Sequence, residues 1–389
     1  MPKRKKICFL SNVHPSPFDT RIFREAKTLA KAGYEVVLIC QHAKAEVVNG
    51  IRILPLPKPK NRLDRMTRLA WKLFRSAITA RADVYQFHDP ELIPVGLLLK
   101  LLRKRVIYDV HEAFGEKILS KEWIKPPQLR PIASIVFKWF ERVFSMCFDY
   151  IIAADRFVSN QFKQRNVTVI ANYPVVSIVK QVSGGGVPVT KQIGKTVVIY
   201  AGGLTKERGL FQMVEAVNSL SDLDVELHLL GLFDNPGDEE LIRQISKVKY
   251  FGFLPLEMVF ERLMLADIGL ALFQPVPAYL YAGENTNKLF EYMACGLAVI
   301  ASNFPNLRKF LEGNKCGICV DPTSPKEIAA AIRLLHENPQ MRVEMGKNGR
   351  KAVLNEFNWE KESEKLLAIY RGLPGRNRAR PGKTKKMRS

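Results

Sequence analysis

The sequence lacks the features that mark secreted, redox-active and membrane-spanning proteins. Its 389 residues include only six cysteines, mostly within apolar runs such as "VVLIC", which excludes a disulfide framework. Cys316 and Cys319 have the spacing of a redox motif, but "GICVDP" predicts a strand rather than the helix start that lowers a thiol pKa. The longest nearly apolar stretch, residues 92–102, is shorter than the roughly 20 residues of a bilayer span, and no signal-peptide core follows the basic amino end. We therefore expect a cytoplasmic protein.

Acidic residues are scarce in one half of the chain. Residues 1–180 hold 32 Lys and Arg against 15 Asp and Glu, residues 372–389 hold seven cations and no acid, and the formal net charge is +22. No zinc-finger spacing, RNP pattern or recognition helix accompanies this charge, so we expect no nucleic acid partner. An anionic membrane surface fits the basic half better.

Two segments of the basic half have the pattern of helices that lie on membranes. Residues 63–83 repeat apolar residues at helical spacing among five cations, and residues 131–148 carry five aromatic residues beside Lys138 and Arg142. Basic amphipathic helices with aromatic residues bind anionic bilayers. Ordinary packing helices with solvated outer faces give the same pattern, and this alternative stays open.

Short strand-like runs alternate with helix-like segments through most of the chain. The runs predicted as strands are residues 6–12, 34–41, 83–88, 105–111, 150–154, 167–172, 196–203, 225–231, 248–253, 268–273, 297–302 and 316–321. Such alternation is typical of parallel sheets with helices on both faces. The fold class predicted is therefore α/β, with two Rossmann-like doubly wound domains facing a cleft.

The boundary between the two domains is predicted from composition. Residues 177–195 are glycine-rich and lack a helical period, so we expect a linker between a domain at 1–176 and a second domain at 196–354. A helix at 355–371 would follow and return to the first domain. The basic tail, 372–389, is expected to be disordered.

The stretch "GENTNKLFEYMACGLAVIAS" combines a helix start with charge. Thr286 and Asn287 are candidate N-caps, and the first amides of the helix form an anion site with Lys288. Glu291, one turn on, suits the vicinal hydroxyls of a ribose. The combination predicts a nucleotide, whereas a plain surface pair of Lys288 and Glu291 is the alternative.

A second polar turn strengthens the prediction of a phosphate site. "IYAGGLTKERGL" leaves a strand, passes Gly202 and Gly203, and enters a helix with Lys206 and Arg208. Glycines let a phosphate approach the backbone while a cation neutralises it. Two such turns in one domain favour a bound diphosphate.

These motifs carry a family resemblance. "GGLTKERG", followed about 80 residues later by "NKLFEYMACGLAVIAS", resembles the donor half of GT-B glycosyltransferases, specifically the retaining family four. "SNVHPSPFDTRIFREAKTLAKAGYEVVLI", together with "VIYDVHE", is similar to the acceptor half of bacterial members that build surface polysaccharides. The resemblance spans roughly residues 7–370. It implies that the first domain binds the acceptor and the second a nucleotide sugar.

The resemblance also implies roles for individual residues. Arg208 would contact the donor diphosphate, Glu291 would hold the ribose, and His111 would lie near the transferred sugar and the leaving group. His111 and Glu291 are therefore the candidate catalytic residues. The donor-binding residues implied are Gly203, Lys206, Arg208, Gly231, Thr286, Asn287, Lys288 and Glu291, with residues 251–253 near the base.

The sequence departs from the family pattern at two positions. Gly203 stands where an arginine is common, with Lys206 as the candidate substitute, and Gly283 stands where a glutamate is common, with Glu284 one step late. The geometry around the diphosphate and the contacts to the sugar depend on these positions.

The acceptor-side candidates are Asp19 and Arg21, which follow the first strand, and His88, which ends another. A helix cap pair and a structural histidine are the respective alternatives. Asp222 and Asp224 precede a strand, at the end opposite a ligand crevice, and no HExxH or Cys/His cluster is present. We therefore expect neither a metal nor a cofactor.

Together these features predict a retaining, metal-independent glycosyltransferase. The enzyme would move a sugar from a UDP or GDP donor to a lipid-linked or polysaccharide acceptor of the lipopolysaccharide type. The enzyme itself would be bound peripherally to the inner face of the cell membrane. One alternative is a non-hydrolysing nucleotide-sugar epimerase of the same fold. Another is a non-catalytic membrane-binding or nucleic-acid-binding protein with a degenerate nucleotide site.

Overall fold

The chain divides into two compact units. The structure is a computed structural model that describes residues 4–15, 20–121, 124–162, 166–184, 194–277, 279–280, 283 and 286–373. One unit comprises Met1–Phe114, Ala133–Ile170 and Ser363–Ser389, and the other comprises Gly115–Ile132 and Ala171–Glu362. The division falls after Ile170 rather than at residue 176, and the residues after Glu362 belong to the first unit.

Each unit is built on its own sheet of mainly parallel strands. The strands are β1 (Lys6–Pro15), β2 (Glu35–Gln41), β3 (Glu46–Val48), β4 (Ile51–Leu56), β5 (Val84–Phe87), β6 (Arg105–Val110), β7 (Tyr150–Ala153), β8 (Val167–Val169), β9 (Thr196–Ala201), β10 (Val225–Leu230), β11 (Val248–Gly252), β12 (Ile268–Ala271), β13 (Ala298–Ser302) and β14 (Gly317–Val320). Most of them are β-branched and aromatic runs without charge at their centres, which suits strands buried on both faces.

The helices fill the connections between strands. They are α1 (Thr20–Lys31), α2 (Arg62–Asp64), α3 (Ala70–Ala80), α4 (Ile93–Leu101), α5 (Phe114–Leu119), α6 (Leu129–Ser145), α7 (Arg156–Ser159), α8 (Val176–Gly184), α9 (Leu210–Ser219), α10 (Pro236–Arg243), α11 (Leu256–Leu265), α12 (Asn287–Ala294), α13 (Pro305–Asn314), α14 (Pro325–Glu337), α15 (Pro339–Asn355) and α16 (Trp359–Gly372). A π-helical turn, Arg65–Leu69, joins α2 to α3, and 3-10 turns occupy Pro90–Leu92 and Lys206–Arg208. None of the described helices is long and apolar enough to cross a bilayer.

The strand order places one switch point in each sheet. In the first unit the order is β3-β4-β2-β1-β5-β6-β7-β8, with only β3 antiparallel, and the direction of progression reverses between β1 and β5. In the second unit the order is β11-β10-β9-β12-β13-β14, and it reverses between β9 and β12. Ligands of such sheets bind outside the carboxyl ends of the strands at the switch point.

The predicted α/β class with two doubly wound sheets is confirmed. All twelve predicted strands overlap observed strands, but β3 and β4 were not predicted, because one has only three residues and the other contains Pro55. The first part of the predicted linker is helical as α8, residues 185–193 of it lie outside the described residues, and so does the tail from residue 374.

The two amphipathic segments behave differently. The apolar stripe of residues 63–83 belongs to the core, where Leu69, Leu73 and Ala77 are fully buried, so the packing alternative is correct for that stripe. α6 has apolar residues on both of its faces, and Phe140 and Phe144 pack against the core of the first unit. Ser134, Glu141 and Ser145 are its buried residues, whereas Ile135 and Trp139 are 67% and 63% exposed.

Candidate nucleotide diphosphate site

The candidate donor site lies at the switch point of the second sheet. β9 ends at Ala201 and continues into the Gly202–Gly203 turn, and α12 begins after the loop that follows β12. Tyr292 of α12 joins these elements, because its hydroxyl accepts a hydrogen bond of 2.9 Å from the amide of Ala201. The start of α12 is thereby fixed beside the carboxyl end of β9.

Lys288 lies one helical turn before Tyr292 and is a buried cation with no ion-pair partner among the described residues. Its ammonium has no hydrogen-bond partner among the described residues. The Nζ atom lies 3.7 Å from the centre of the Tyr200 ring and 5.3 Å from that of Phe273. Burial, together with the positive charge of Arg208, lowers the pKa of Lys288 well below its ordinary value, while the charge of Glu291 opposes this shift.

Arg208 points to the same turn from the other side. Its Nη1 lies 3.1 Å from where a Cβ on Gly203 would stand, and Lys288 Nζ lies 3.1 Å from where a Cβ on Gly202 would stand. Arg208 is half-buried, and its Nε donates to the hydroxyl of Tyr279 at 3.2 Å. Two cations therefore converge on one pair of glycines, and a side chain at either position would crowd the cations.

The start of α12 adds polar groups to this cationic site. Thr286 is the N-cap residue and is buried, although its side chain makes no capping hydrogen bond. The side-chain oxygen of Asn287 is buried and has no partner among the described residues. Glu291 lies one turn further on and is half-buried. The first amides of the helix and Lys288 thus offer donors to an anion, as expected for a phosphate site.

The neighbouring strand ends are closely packed glycine turns. Gly231 follows β10 with a φ of +133°, and a Cβ there would lie 2.0 Å from the carbonyl oxygen of Gly202. Its amide donates to the carbonyl of Gly252 at 2.8 Å, and its carbonyl accepts from Tyr250 at 3.0 Å. Gly231 therefore holds the row of strand ends together, which is a structural role beside the one predicted for it.

The structure does not bring every predicted residue to the cations. Lys206 is exposed and its Nζ lies 5.9 Å from the Phe211 ring centre, while the side chain nearest to Gly203 is that of Arg208. One face of Phe251 is taken by Arg262, and Phe253 is exposed. At Gly283 a Cβ would lie 3.1 Å from that of Asn306, so a glutamate there would need Asn306 to shift.

The acceptor-side candidates lie in the first unit. Arg21 forms a buried ion pair with Asp109, with Nη2 2.8 Å from Oδ1, and donates to the carbonyl of Ile170 at 2.7 Å. It is thus a paired core residue rather than a helix cap. His88 follows β5 and His111 follows β6, and both contact Asp109. Asp19 and Glu284 lie outside the described residues.

One group of side chains in the described ranges has the composition of a metal site. It consists of His88, Asp109 and His111, whose candidate ligand atoms lie within 4.8 Å of one another. However, Asp109 Oδ2 also accepts hydrogen bonds from Arg21 Nε and Gln86 Nε2, both at 3.3 Å. A carboxylate oxygen already surrounded by four nitrogen atoms leaves little room for a metal ion, so the geometry fits a hydrogen-bond cluster better.

Sequence reasoning missed the aromatic residues of the donor site and the acid of the first unit. Tyr200 and Tyr279 flank Lys288 and Arg208, yet in the sequence they read as strand and loop residues. Asp109 lies in "RVIYDV", where an acid inside a buried strand was a signal in itself, because such a group needs a partner. Its partner Arg21 is 88 residues away in the sequence.

These features define a doubly wound α/β protein with a cationic, glycine-lined site at a sheet switch point. Two family profiles match the chain, described as "Glycosyl transferases group 1" over residues 188–352 and "Glycosyltransferase Family 4" over residues 19–173. The chain belongs to this group of GT-B glycosyltransferases.

Curated relatives are distant. An uncharacterised glycosyltransferase of Methanocaldococcus jannaschii is 22% identical over 78% of this chain and 78% of that protein. Spore coat protein SA of Bacillus subtilis is 24% identical over 46% of this chain and 49% of that protein. The match to the latter thus spans about half the length of the relative.

Solved structures support the fold over nearly the whole chain. Anabaena HepE, in complex with UDP-glucose, has a TM-score of 0.70 at 16% identity, covering 95% of this chain and 100% of that one. WaaG, a glycosyltransferase involved in lipopolysaccharide biosynthesis, has a TM-score of 0.69 at 15% identity with the same coverage. At these identities the likeness supports the GT-B fold alone.

Proposed function

We propose that this glycosyltransferase moves a hexosyl group from a UDP or GDP sugar to a lipid-linked or polysaccharide acceptor at a membrane, in cell-surface polysaccharide synthesis. The observation that carries the proposal is the position of Lys288, a buried ammonium that lies beside the Arg208 guanidinium. It has no hydrogen-bond partner in the part of the chain that the structure describes. A buried cation of this kind is costly unless a ligand neutralises it. UDP-glucose in the HepE structure is the ligand class that suits such a site.

In this proposal the diphosphate binds between Arg208, Lys288 and the first amides of α12. The two cations and the helix dipole stabilise the charge that develops as the sugar-phosphate bond breaks. Glu291 accepts hydrogen bonds from the ribose, and no metal takes part. Because an anion beside Lys288 favours its charged form, donor binding raises the pKa of Lys288 toward its ordinary value.

The family resemblance supports retention of the anomeric configuration. The acceptor hydroxyl attacks on the face from which the diphosphate departs. Its oxygen forms the new bond to the anomeric carbon, the bond to the diphosphate oxygen breaks, and a diphosphate oxygen takes the hydroxyl proton. His111 is assigned to the transferred sugar. Exclusion of water during this step protects the donor from hydrolysis.

The exposed apolar face of α6 supports a membrane-associated acceptor. Besides the side that packs on the core, α6 turns Ile135, Val136 and Trp139 outward, with the exposed Arg142 three residues after Trp139. Exposed aromatic and aliphatic residues beside a cation suit the interface of an anionic bilayer. The fold shared with WaaG, a glycosyltransferase involved in lipopolysaccharide biosynthesis, agrees with an acceptor of this class. We place the protein at the inner face of the cell membrane.

A nucleotide screen tests the donor site. UDP or GDP at about 100 times its dissociation constant should stabilise the folded protein by about 2.7 kcal/mol, measured as a thermal shift. Glu291→Ala should abolish this shift, because the ribose loses its acceptor. Glu215→Ala, at an exposed position of α9 in the same unit, is the matched control and should respond like the unchanged protein. An undiminished shift for Glu291→Ala would exclude the ribose assignment.

The products separate the proposed function from its alternatives. A transferase supplied with an acceptor extract releases the free nucleoside diphosphate, an epimerase yields an isomeric nucleotide sugar, and a non-catalytic binding protein leaves the donor intact. Chromatography of the nucleotide pool distinguishes these three outcomes.

Vesicle binding tests the membrane surface. The double variant Ile135→Ser, Trp139→Ser should lose co-sedimentation with anionic vesicles, and vesicles of neutral lipid should retain little protein. The matched control is Leu101→Ser, which removes a similarly exposed apolar residue from α4. Equal binding of the double variant and the control would rule out α6 as the attachment surface.

A further inference from the structure

A buried layer of polar side chains lies on one face of the first sheet. Arg21 and Glu25 of α1 lie one turn apart, with Nε of the arginine 3.3 Å from Oε1 of the glutamate. Gln86 of β5 donates to Glu25 at 2.6 Å and to Asp109 of β6 at 3.3 Å. Tyr370 of α16 donates to the side-chain oxygen of Gln86. All of these side chains are buried.

Tyr370 fixes the orientation of this layer. Its hydroxyl occupies the oxygen of the Gln86 amide, so the nitrogen of that amide must face Glu25 and Asp109. Arg21 donates to both oxygens of Asp109. The carboxylate of Asp109 is thus held by Arg21 of α1 and Gln86 of β5, independently of the two histidines.

Two histidines complete the cluster on the other side of Asp109. His88 Nδ1 lies 2.8 Å from His111 Nε2 and 3.0 Å from Asp109 Oδ2, and His111 Nε2 lies 3.2 Å from the same oxygen. His88 Nδ1, His111 Nε2 and Asp109 Oδ2 all lie within hydrogen-bond distance of one another, so only some placements of the ring protons avoid two donors facing each other.

The remaining nitrogen of His88 locates its proton. His88 Nε2 is buried and has no hydrogen-bond partner in the described part of the chain. A proton on Nε2 would be a buried donor without an acceptor, whereas a proton on Nδ1 has two acceptors within 3.0 Å. Burial also lowers the pKa of His88, so the ring carries one proton rather than two. That proton is on Nδ1.

The proton of His88 in turn determines the state of His111. Two N–H groups facing each other across 2.8 Å would repel, so His111 Nε2 must be the acceptor of this contact. A neutral His111 then carries its proton on Nδ1. We propose that His88 and Asp109 are positioning residues that hold His111 as the Nδ1–H tautomer, so that its ring presents a hydrogen-bond donor to the substrate rather than a base.

This inference rests on the proposed function for its consequence but not for its geometry. A donor suits a sugar hydroxyl or the oxygen of a departing diphosphate, where negative charge develops. A proton acceptor at His111 is not needed, because the diphosphate itself takes the proton of the acceptor hydroxyl. The histidine would therefore stabilise and orient rather than abstract.

The tautomer can be measured directly in the free enzyme. Long-range proton–nitrogen NMR correlations of the histidine-labelled full chain distinguish a protonated ring nitrogen from a bare one, with His111→Gln used to assign the signals. We expect His111 to carry its proton on Nδ1 in the unliganded protein. A proton on Nε2 of His111, or a stoichiometric metal in the purified protein, would overturn the proposal.

A pair of His88 variants tests the positioning role. In His88→Asn the amide N–H takes nearly the place of the histidine Nδ1–H, whereas His88→Leu removes the donor and keeps the volume. The leucine variant should lose about 10- to 100-fold in kcat, with an unchanged KM for the nucleotide sugar, and show both tautomers of His111. The asparagine variant should recover most of kcat and the Nδ1–H signal.

The outcomes separate this inference from the proposed function. Equal losses in the two His88 variants, with an unchanged His111 tautomer, would contradict the positioning role even if the protein transfers sugar. A protein that binds no nucleotide in the thermal screen but shows the Nδ1–H tautomer would contradict the proposed function alone. Tyr370→Phe, which removes only the hydroxyl behind Gln86, should change the tautomer less than His88→Leu.

Discussion

The two units treat buried charge in opposite ways. In the first unit the Arg21 guanidinium is matched to the Asp109 carboxylate, which also receives hydrogen bonds from Gln86 and His88. In the second unit the Lys288 ammonium lies against aromatic rings beside the Arg208 cation, with the charge of Glu291 as a smaller influence and no hydrogen-bond partner among the described residues. The first arrangement pairs its charges within the protein, whereas the charge of the second is neutralised only when an anion binds.

The difference separates positioning from binding. A paired network in a medium of low dielectric constant holds its members in one geometry, which suits residues that orient others. An unpaired cation raises the free energy of the empty protein and returns that energy when a ligand binds. The fold thus carries its rigid polar layer in one sheet and its unsatisfied charge at the switch point of the other.

Asp109→Asn should have the largest effect on stability and thereby tests the paired side of the comparison. The substitution removes the carboxylate that pairs with the buried Arg21 guanidinium and leaves Glu25 as its remaining acidic neighbour, which costs about 3–5 kcal/mol of unfolding free energy. Urea unfolding measures this loss. The matched control is Asp222→Asn, which breaks an exposed pair with Arg333 and should leave the unfolding midpoint unchanged. Equal midpoints for the two variants would mean that Asp109 does not hold Arg21.

Glu141→Gln should have the next largest effect, and it tests a third way of burying an acid. Glu141 faces inward from α6 and accepts from the Tyr108 hydroxyl at 2.6 Å, and burial raises its pKa to about 7. The folded protein therefore keeps this proton between pH 4.5 and 7, where the unfolded chain releases it. Its contribution to stability is full below pH 4.5, falls as the pH rises to 7, and is constant above.

The expected decline is about 3 kcal/mol between pH 4.5 and 7. Glu141→Gln should remove it, so the variant should exceed the unchanged protein in unfolding free energy at pH 8 but not at pH 4.5. Unfolding curves at both pH values measure this. An identical pH dependence in the two proteins would show that Glu141 does not titrate in this range.

Lys288→Met should have the smallest effect on stability, and its sign is opposite to that of Asp109→Asn. Replacing the unpaired ammonium by an apolar side chain of similar length should stabilise the empty protein by about 1–3 kcal/mol. The same change should lower the transfer rate about 100-fold or more. Urea unfolding measures the first effect, and release of the nucleoside diphosphate measures the second. A destabilised variant would mean that the ammonium is already satisfied without ligand.

Much of the donor site was predictable because its signals are local. A glycine turn after a strand and a helix start that carries a cation are each encoded within a dozen residues. The structure brings Arg208 and Lys288 to neighbouring glycines. The role of Lys206 as a substitute for an arginine at Gly203 stays a prediction, because the direction of its exposed side chain depends on the turn at Lys206–Arg208, which no spacing shows. The donor and acceptor roles of these residues remain predictions that the experiments above test.

The polar layer of the first unit was not predictable in the same way. Arg21 was predicted to lie on the acceptor side, with a helix cap as the alternative, and Gln86 and Asp109 were interpreted as parts of strand runs, because their partners come from α1, β5, β6 and α16. The exposure of Ile135 and Trp139 on α6 was not predictable either, because the spacing of apolar residues along a helix does not tell which of them pack against the core.

The sequence by itself determined the α/β class, the twelve main strands and the cationic turns, because strand periodicity, helix caps and glycine turns are properties of neighbouring residues. Only the tertiary structure decided that Arg21 pairs with Asp109 and that Lys288 has no hydrogen-bond partner among the described residues. It also decided that α6 exposes Ile135 and Trp139. Those outcomes depend on which surfaces distant segments cover, and the free energy of a charge or an apolar side chain is set by what covers it.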